Sequence, residues 1–120
     1  MSNTDIERDW VTEAGLRAVV LMINRRNDHY RCGYVAVPKG HLLHGEGYDD
    51  LYINVHGGLT YSSGHSEYPA KNDGTLWWFG YDCHHTFDTL ENCTHNYCVQ
   101  HCESLARQLV NYKHDEEAEL

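Results

Sequence analysis

The sequence predicts an α+β fold, a small antiparallel β-sheet with one main C-terminal amphipathic helix packed on it. Up to residue 82, short runs rich in β-branched and aromatic residues alternate with turn clusters. Beyond residue 92 the apolar period changes to that of a helix. With 120 residues, 41% of them hydrophobic, the chain suits a single domain that buries a core of its own.

Residues 1–9 are polar and are expected to be disordered, leaving a single α+β domain over 10–112 and an acidic tail over 113–120. The first strand is expected at Leu16 to Ile23, where β-branched and aliphatic residues dominate. Asn24 to Asp28 is a turn cluster, and Tyr30 to Val37 is a second strand, so the two form an antiparallel hairpin. Pro38 ends it, because proline cannot donate to a ladder. Residues 39–50 carry three glycines and read as a loop. Leu51 to Val55 is expected to be a third strand, continued by Leu59 to Ser62 beyond Gly57-Gly58. Residues 63–74 form a polar loop, and Leu76 to Asp82 is a further strand. Cys98, Cys102, Leu105, Ala106 and Leu109 then fall on one helical face, with Asn92 or Thr94 as N-cap and an end near Tyr112. Arg107, Gln108 and Asn111 lie off that face and read as solvated.

Nine basic residues against eighteen acidic ones give a net charge of -9. That balance argues against general nucleic-acid binding, which needs Lys and Arg for phosphates. It leaves room for a small anionic ligand in a locally positive pocket, or for a basic protein partner. The longest apolar run, Ala18 to Ile23, is far too short for a membrane span, and the polar N-terminus lacks a signal-peptide layout. A cytoplasmic protein is the expectation. The five cysteines are then thiols or metal ligands rather than disulfides.

Candidate chemistry gathers at the ends of the strands. Of ten histidines, His41 follows the second strand, His56 ends the third, and His84 and His85 end the fourth. His41, His56, Asp82 and His85 are expected to converge on one rim, where imidazoles that titrate near neutral pH and an orienting carboxylate suit general acid–base work. Hydrogen-bonded histidines without a catalytic role are the competing reading. Lys39 and the amides of Gly57 and Gly58 would hold an anion, although a plain bulge explains the glycines equally well. In the run Trp77-Trp78-Phe79-Gly80-Tyr81, alternate residues share a face; one face is core, and the other, or Tyr61, would offer a stacking platform. Cys93, His95, Cys98 and Cys102 are candidate zinc ligands, but Cys98 and Cys102 also suit an apolar helix face. Cys83, beside two histidines, is a candidate activated thiol.

The blocks Cys32-Gly33-Tyr34-Val35-Ala36-Val37-Pro38-Lys39-Gly40-His41, Val55-His56-Gly57-Gly58-Leu59-Thr60-Tyr61 and Trp77-Trp78-Phe79-Gly80-Tyr81-Asp82-Cys83-x-His85 resemble a family of small proteins encoded by phages and prophages. The segment Cys102 to Leu109 resembles that family's closing helix. The resemblance implies a counter-defence factor that sequesters or cleaves a nucleotide immune signal, or inhibits a defence protein directly. Cys93, Cys98 and His101 are additional to the family pattern, so zinc is not implied by it.

The function expected is therefore binding, with or without cleavage, of a small nucleotide-type ligand at the His/Asp rim. If there is turnover, it would be phosphodiester hydrolysis that needs no cofactor. An acidic module that binds a host defence protein and a zinc-stabilised domain are the alternatives, and a homo-oligomer is compatible with each.

Overall fold

The structure, a computed structural model, describes residues 2–112. Five strands form one antiparallel sheet: β1 (Ser2–Val11), β2 (Arg17–Arg25), β3 (Asp28–Val37), β4 (Tyr61–Ser63) and β5 (Trp77–Asp82), in the order β1-β2-β3-β5-β4. A single 3-10 turn (Tyr48–Asp50) lies between β3 and β4, and helix α1 (His95–Val110) closes the fold. The expected α+β architecture is what forms. No helix among the described residues is long and apolar enough to cross a membrane.

Both faces of the sheet are covered, so the central strands are apolar on both sides. Ala18, Val20, Val35, Val37, Phe79 and Tyr81 face α1, whose Cys98, Cys102, Leu105, Ala106 and Leu109 complete this core. Val19, Leu21, Ile23, Cys32, Tyr34, Ala36 and Trp78 point the other way and are covered by Ala70, Tyr61, Tyr68 and Leu76. Gly33 lies under the Tyr81 ring and Gly80 under the Tyr34 ring; a Cβ on either glycine would come within 2.5 Å of ring atoms. The Tyr81 hydroxyl donates to the Cys98 carbonyl at 2.9 Å and so ties sheet to helix.

Thr94 is the N-cap of α1, its hydroxyl accepting from the Tyr97 N–H at 3.1 Å. Two strand expectations need correction. Residues 2–9, expected to be disordered, belong to β1 and pair with β2 from Ser2↔Arg25 to Val11↔Arg17. Backbone pairing and side-chain ties hold them: Asp9 pairs with Arg17 at 2.7 Å, and Glu7, beside the register shift between Ile6 and Arg8, pairs with Arg31 at 2.7 Å. Leu51 to Val55 is not a strand. Its backbone bonds go to the helix instead: the Asn54 N–H donates to Gln108 Oε1 at 2.8 Å and Gln108 Nε2 donates to the Asn54 carbonyl at 2.7 Å. Gln108 is thus a clamp rather than a solvated side chain. The acidic tail, 113–120, lies outside the described residues.

Candidate functional site

The segment pinned along α1 ends at His56, and α1 fixes the orientation of that residue. The His56 N–H donates to His101 Nδ1 at 3.1 Å, and the His56 ring meets the Tyr97 hydroxyl through Nδ1 at 2.8 Å. Tyr97 and His101 are four residues apart on α1 and so share one face. Burial, followed by the nearby His56, pushes the His101 imidazole below its usual pKa and favours the neutral ring that can accept this bond.

Directly after His56 the chain turns through Gly57 and Gly58, both at positive φ (67° and 80°). The Gly57 conformation brings its backbone against the His85 ring; a Cβ there would stand 2.4 Å from His85 Cε1. His85 follows β5 and begins a turn in which the Asp88 N–H donates to the His85 carbonyl at 2.9 Å. Phe87 closes that turn at φ 76°, a conformation that costs a β-carbon residue about 1–2 kcal/mol.

The turn aims Asp88 back at both histidines. Its carboxylate lies 3.0 Å from His56 Nε2 and 2.9 Å from His85 Nδ1, and it also accepts the His85 N–H at 2.9 Å. The two imidazole rings stand edge to face at 5.7 Å. Burial alone would push the Asp88 carboxyl up. The bonds from His56 and His85 outweigh it and hold the group down at about 2. Its folded pKa therefore lies below the ordinary value of about 4, so its contribution to stability is full above about pH 4 and is lost as the pH falls towards about 2. Urea unfolding across that window should show a shallower acid loss for Asp88→Asn than for the native chain.

Asp82 sits at the outer edge of the same group. It accepts the Thr60 hydroxyl at 2.9 Å and the His84 N–H at 3.0 Å, and stands 3.7 Å from His85 Nδ1. Asp82 and His85 form one wall of an open cleft of about 440 Å³ on the sheet face away from α1. Arg25, Tyr30, Tyr34, Tyr61 and Tyr68 line the rest of it. Tyr34 and Tyr68 share a hydroxyl contact of 2.7 Å, with Tyr61 edge-on to both. Arg25 stands over Tyr30 at 5.8 Å and gives the cleft a cation.

Thus His56, Asp82 and His85 converge as expected, with Tyr61 in the adjoining cleft. Gly57 joins them with its backbone against the His85 ring, whereas His41, Lys39, Gly58 and Trp78 do not. His41 seals the far end of α1, with Nε2 donating to the Leu109 carbonyl at 2.8 Å and Nδ1 accepting the Leu43 N–H at 3.0 Å. That is two to three helical turns from His101 and Tyr97, roughly 12–18 Å. Lys39, exposed just before it, is likewise placed away from the rim. The Gly58 N–H is taken by the Val55 carbonyl at 2.9 Å and is not available to an anion. Trp78 is wholly buried in the second core and offers no stacking face.

The cysteine candidates separate as well. Cys102 lies under the Tyr81 hydroxyl at 3.9 Å, where burial pushes its thiol up to about 12. Cys98 meets Cys83 at 3.8 Å, and His95 turns outward to Glu7 at 3.3 Å. Cys83 is no activated nucleophile: the Cys98 sulfur and burial push its thiol up. Cys93 reaches the site, 3.7 Å from His56 Nε2, and Cys83 lies within 4.8 Å of both. Among the described residues two groups have metal-ligand proximity, His56 with Cys83 and Cys93, and His56 with His85 and Asp88.

Tyr97 and His101 are site residues missed from the sequence, and Asp88, close to the histidines in sequence, is not in the group expected to converge. Asp88 lies three residues past His85, where its carboxylate accepts the His85 N–H at 2.9 Å. Comparison with protein-family models, curated proteins and solved structures finds no match to this chain.

Proposed function

We propose that the cleft beside Asp82 and His85 binds a small nucleotide-type ligand and that the His/Asp group at its end gives the site hydrolytic capacity. The observation that carries this reading is the composition of the cleft, where tyrosine rings, Arg25, an imidazole and a carboxylate line about 440 Å³. Tyrosine rings suit a base and Arg25 a phosphate. His85 is the general base of this reading. Its Nδ1–H donates to Asp88, which leaves Nε2 with the lone pair to take a proton from water as it attacks a phosphodiester; the P–O bond to the departing alcohol breaks, and that oxygen receives the proton from Nε2. His56, engaged through both ring nitrogens, positions Asp88. Together with the resemblance to phage proteins, this supports a counter-defence factor acting in the bacterial cytoplasm on a nucleotide signal.

Incubation with a panel of cyclic and linear nucleotides, followed by chromatography, tests it. At least one nucleotide should be retained or cleaved. Tyr61→Ala should weaken retention, and His85→Ala should lower any turnover by about 100-fold or more. No interaction with any nucleotide, or full activity in both variants, would overturn the reading and favour a protein-interaction module.

A further inference from the structure

We propose that His56, His85 and Asp88 form a binding site for one divalent first-row transition-metal ion, with zinc the representative case. This goes beyond the ligand reading and stands without it, since it concerns three side chains and an ion. An ion on His85 Nδ1 would move that ring's proton to Nε2, so in the loaded site an ion-bound water, not His85, would take the base's place.

The donor atoms are His56 Nε2, His85 Nδ1 and an Asp88 oxygen, all within 4.8 Å of one another. Ligand atoms 2.0–2.1 Å from a tetrahedral zinc stand about 3.3 Å apart. The two measured edges, 3.0 Å to His56 and 2.9 Å to His85, need to open by only a few tenths of an ångström. Two imidazoles and one carboxylate suit zinc or iron(II) rather than magnesium or calcium, which prefer oxygen.

The outer contacts suit the same assignment. A ligating imidazole usually bonds a neighbour through its second nitrogen, which fixes the ring. His56 Nδ1 has such a neighbour in the Tyr97 hydroxyl, 2.8 Å away. A hydroxyl can accept as well as donate. The ring can therefore move its proton to Nδ1 and free the Nε2 lone pair for an ion without rearrangement. The His85 ring has its place because Gly57 carries no β-carbon. The Asp88 carboxylate is held by the His85 N–H as well as by the rings.

The competing group, His56 with Cys83 and Cys93, shares His56, so one ion at that nitrogen must choose between them. Both sulfurs are buried, whereas the His85 side chain is 39% exposed and gives an ion a path in. Three protein donors also leave a position open for water, as in catalytic rather than structural zinc sites. His85 belongs to both the trio and the cleft wall, which puts such a water beside the cleft.

The test uses the full chain, stripped with a chelator and dialysed, with zinc and cobalt(II) as probes and no nucleotide present. Zinc should bind at one equivalent in competition with a chromophoric chelator. The cobalt form should show visible d–d bands without a thiolate charge-transfer band; this readout needs no variant. Asp88→Asn and His85→Ala should each weaken zinc binding by at least about 100-fold, and Cys93→Ser should leave it unchanged, with circular dichroism confirming the fold of each variant. Failure of the native chain to retain zinc would overturn the proposal. So would a thiolate band with loss of binding in Cys93→Ser, which would place the ion with Cys83 and Cys93. Neither outcome depends on whether a nucleotide binds.

Discussion

Replacing Trp78 by alanine should destabilise the protein by about 3–5 kcal/mol, the usual range for emptying a large aromatic site in a core. The side chain is fully buried on the sheet face that the helix does not cover. It shares that core with Tyr34 of β3 and with Tyr61 and Tyr68 of the covering layer, which line the cleft. The cavity would open in the core shared with those tyrosines, and a thermal scan should show the midpoint falling by roughly 10–25 °C. Trp78→Phe should cost much less. It keeps an aromatic ring and removes an indole N–H that has no hydrogen-bond partner among the described residues. Such an orphan costs about 1–3 kcal/mol, which offsets part of the lost packing. Equal losses for the alanine and phenylalanine variants would contradict this account.

The second large effect should come from Gly57→Ala, with Gly58→Ala as its control. Both glycines have positive φ, so either alanine incurs about 1–2 kcal/mol of backbone strain. Only at Gly57 does the new methyl meet a side chain, with His85 Cε1 at 2.4 Å; at Gly58 nothing lies within 4 Å. His85 is partly exposed and can swing outward, so the clash should appear as a displaced ring more than as further instability. Gly57→Ala should therefore reproduce the functional defect of His85→Ala while His85 is still present. Gly58→Ala should lose similar stability and keep function. Urea unfolding and the histidine ring resonances in NMR separate the two expectations. An undisturbed His85 resonance in Gly57→Ala would refute the steric argument.

The sequence shows some of these arrangements and hides others for physical reasons. The strands β2, β3 and β5 and the helix are legible because burial of a regular element leaves a periodic trace in its apolar residues. Strand β1 leaves none. Its side chains are mostly exposed, so no apolar period marks it; it is held by the β2 backbone and by ion pairs such as Asp9–Arg17. Leu51, Ile53 and Val55 do alternate, but alternation reports burial on one side rather than membership of a sheet. Here the buried side faces α1, and Gln108 supplies the hydrogen bonds that a strand neighbour would have given.

The site divides in the same way. His56, Asp82 and His85 were found because each lies at or near the end of an apolar segment. His41 shares that position, but its ring is occupied by a helix carbonyl, and no spacing rule could reveal a contact across 68 residues. Tyr97 and His101 were hidden in a helix read only for its apolar face.

The dipeptide Gly-Tyr occurs once in β3 and once in β5, and in antiparallel alignment each tyrosine stands opposite the other strand's glycine. The two copies act as a bulk-and-gap key that checks alignment by size. If the strands slid by one residue, Tyr34 would meet Tyr81, or Gly33 would meet Gly80, giving either a collision or a hole. Misregistration is thus rejected in mid-strand by side-chain size alone. Asp82 and His85, just beyond the key, inherit their placement from that error check.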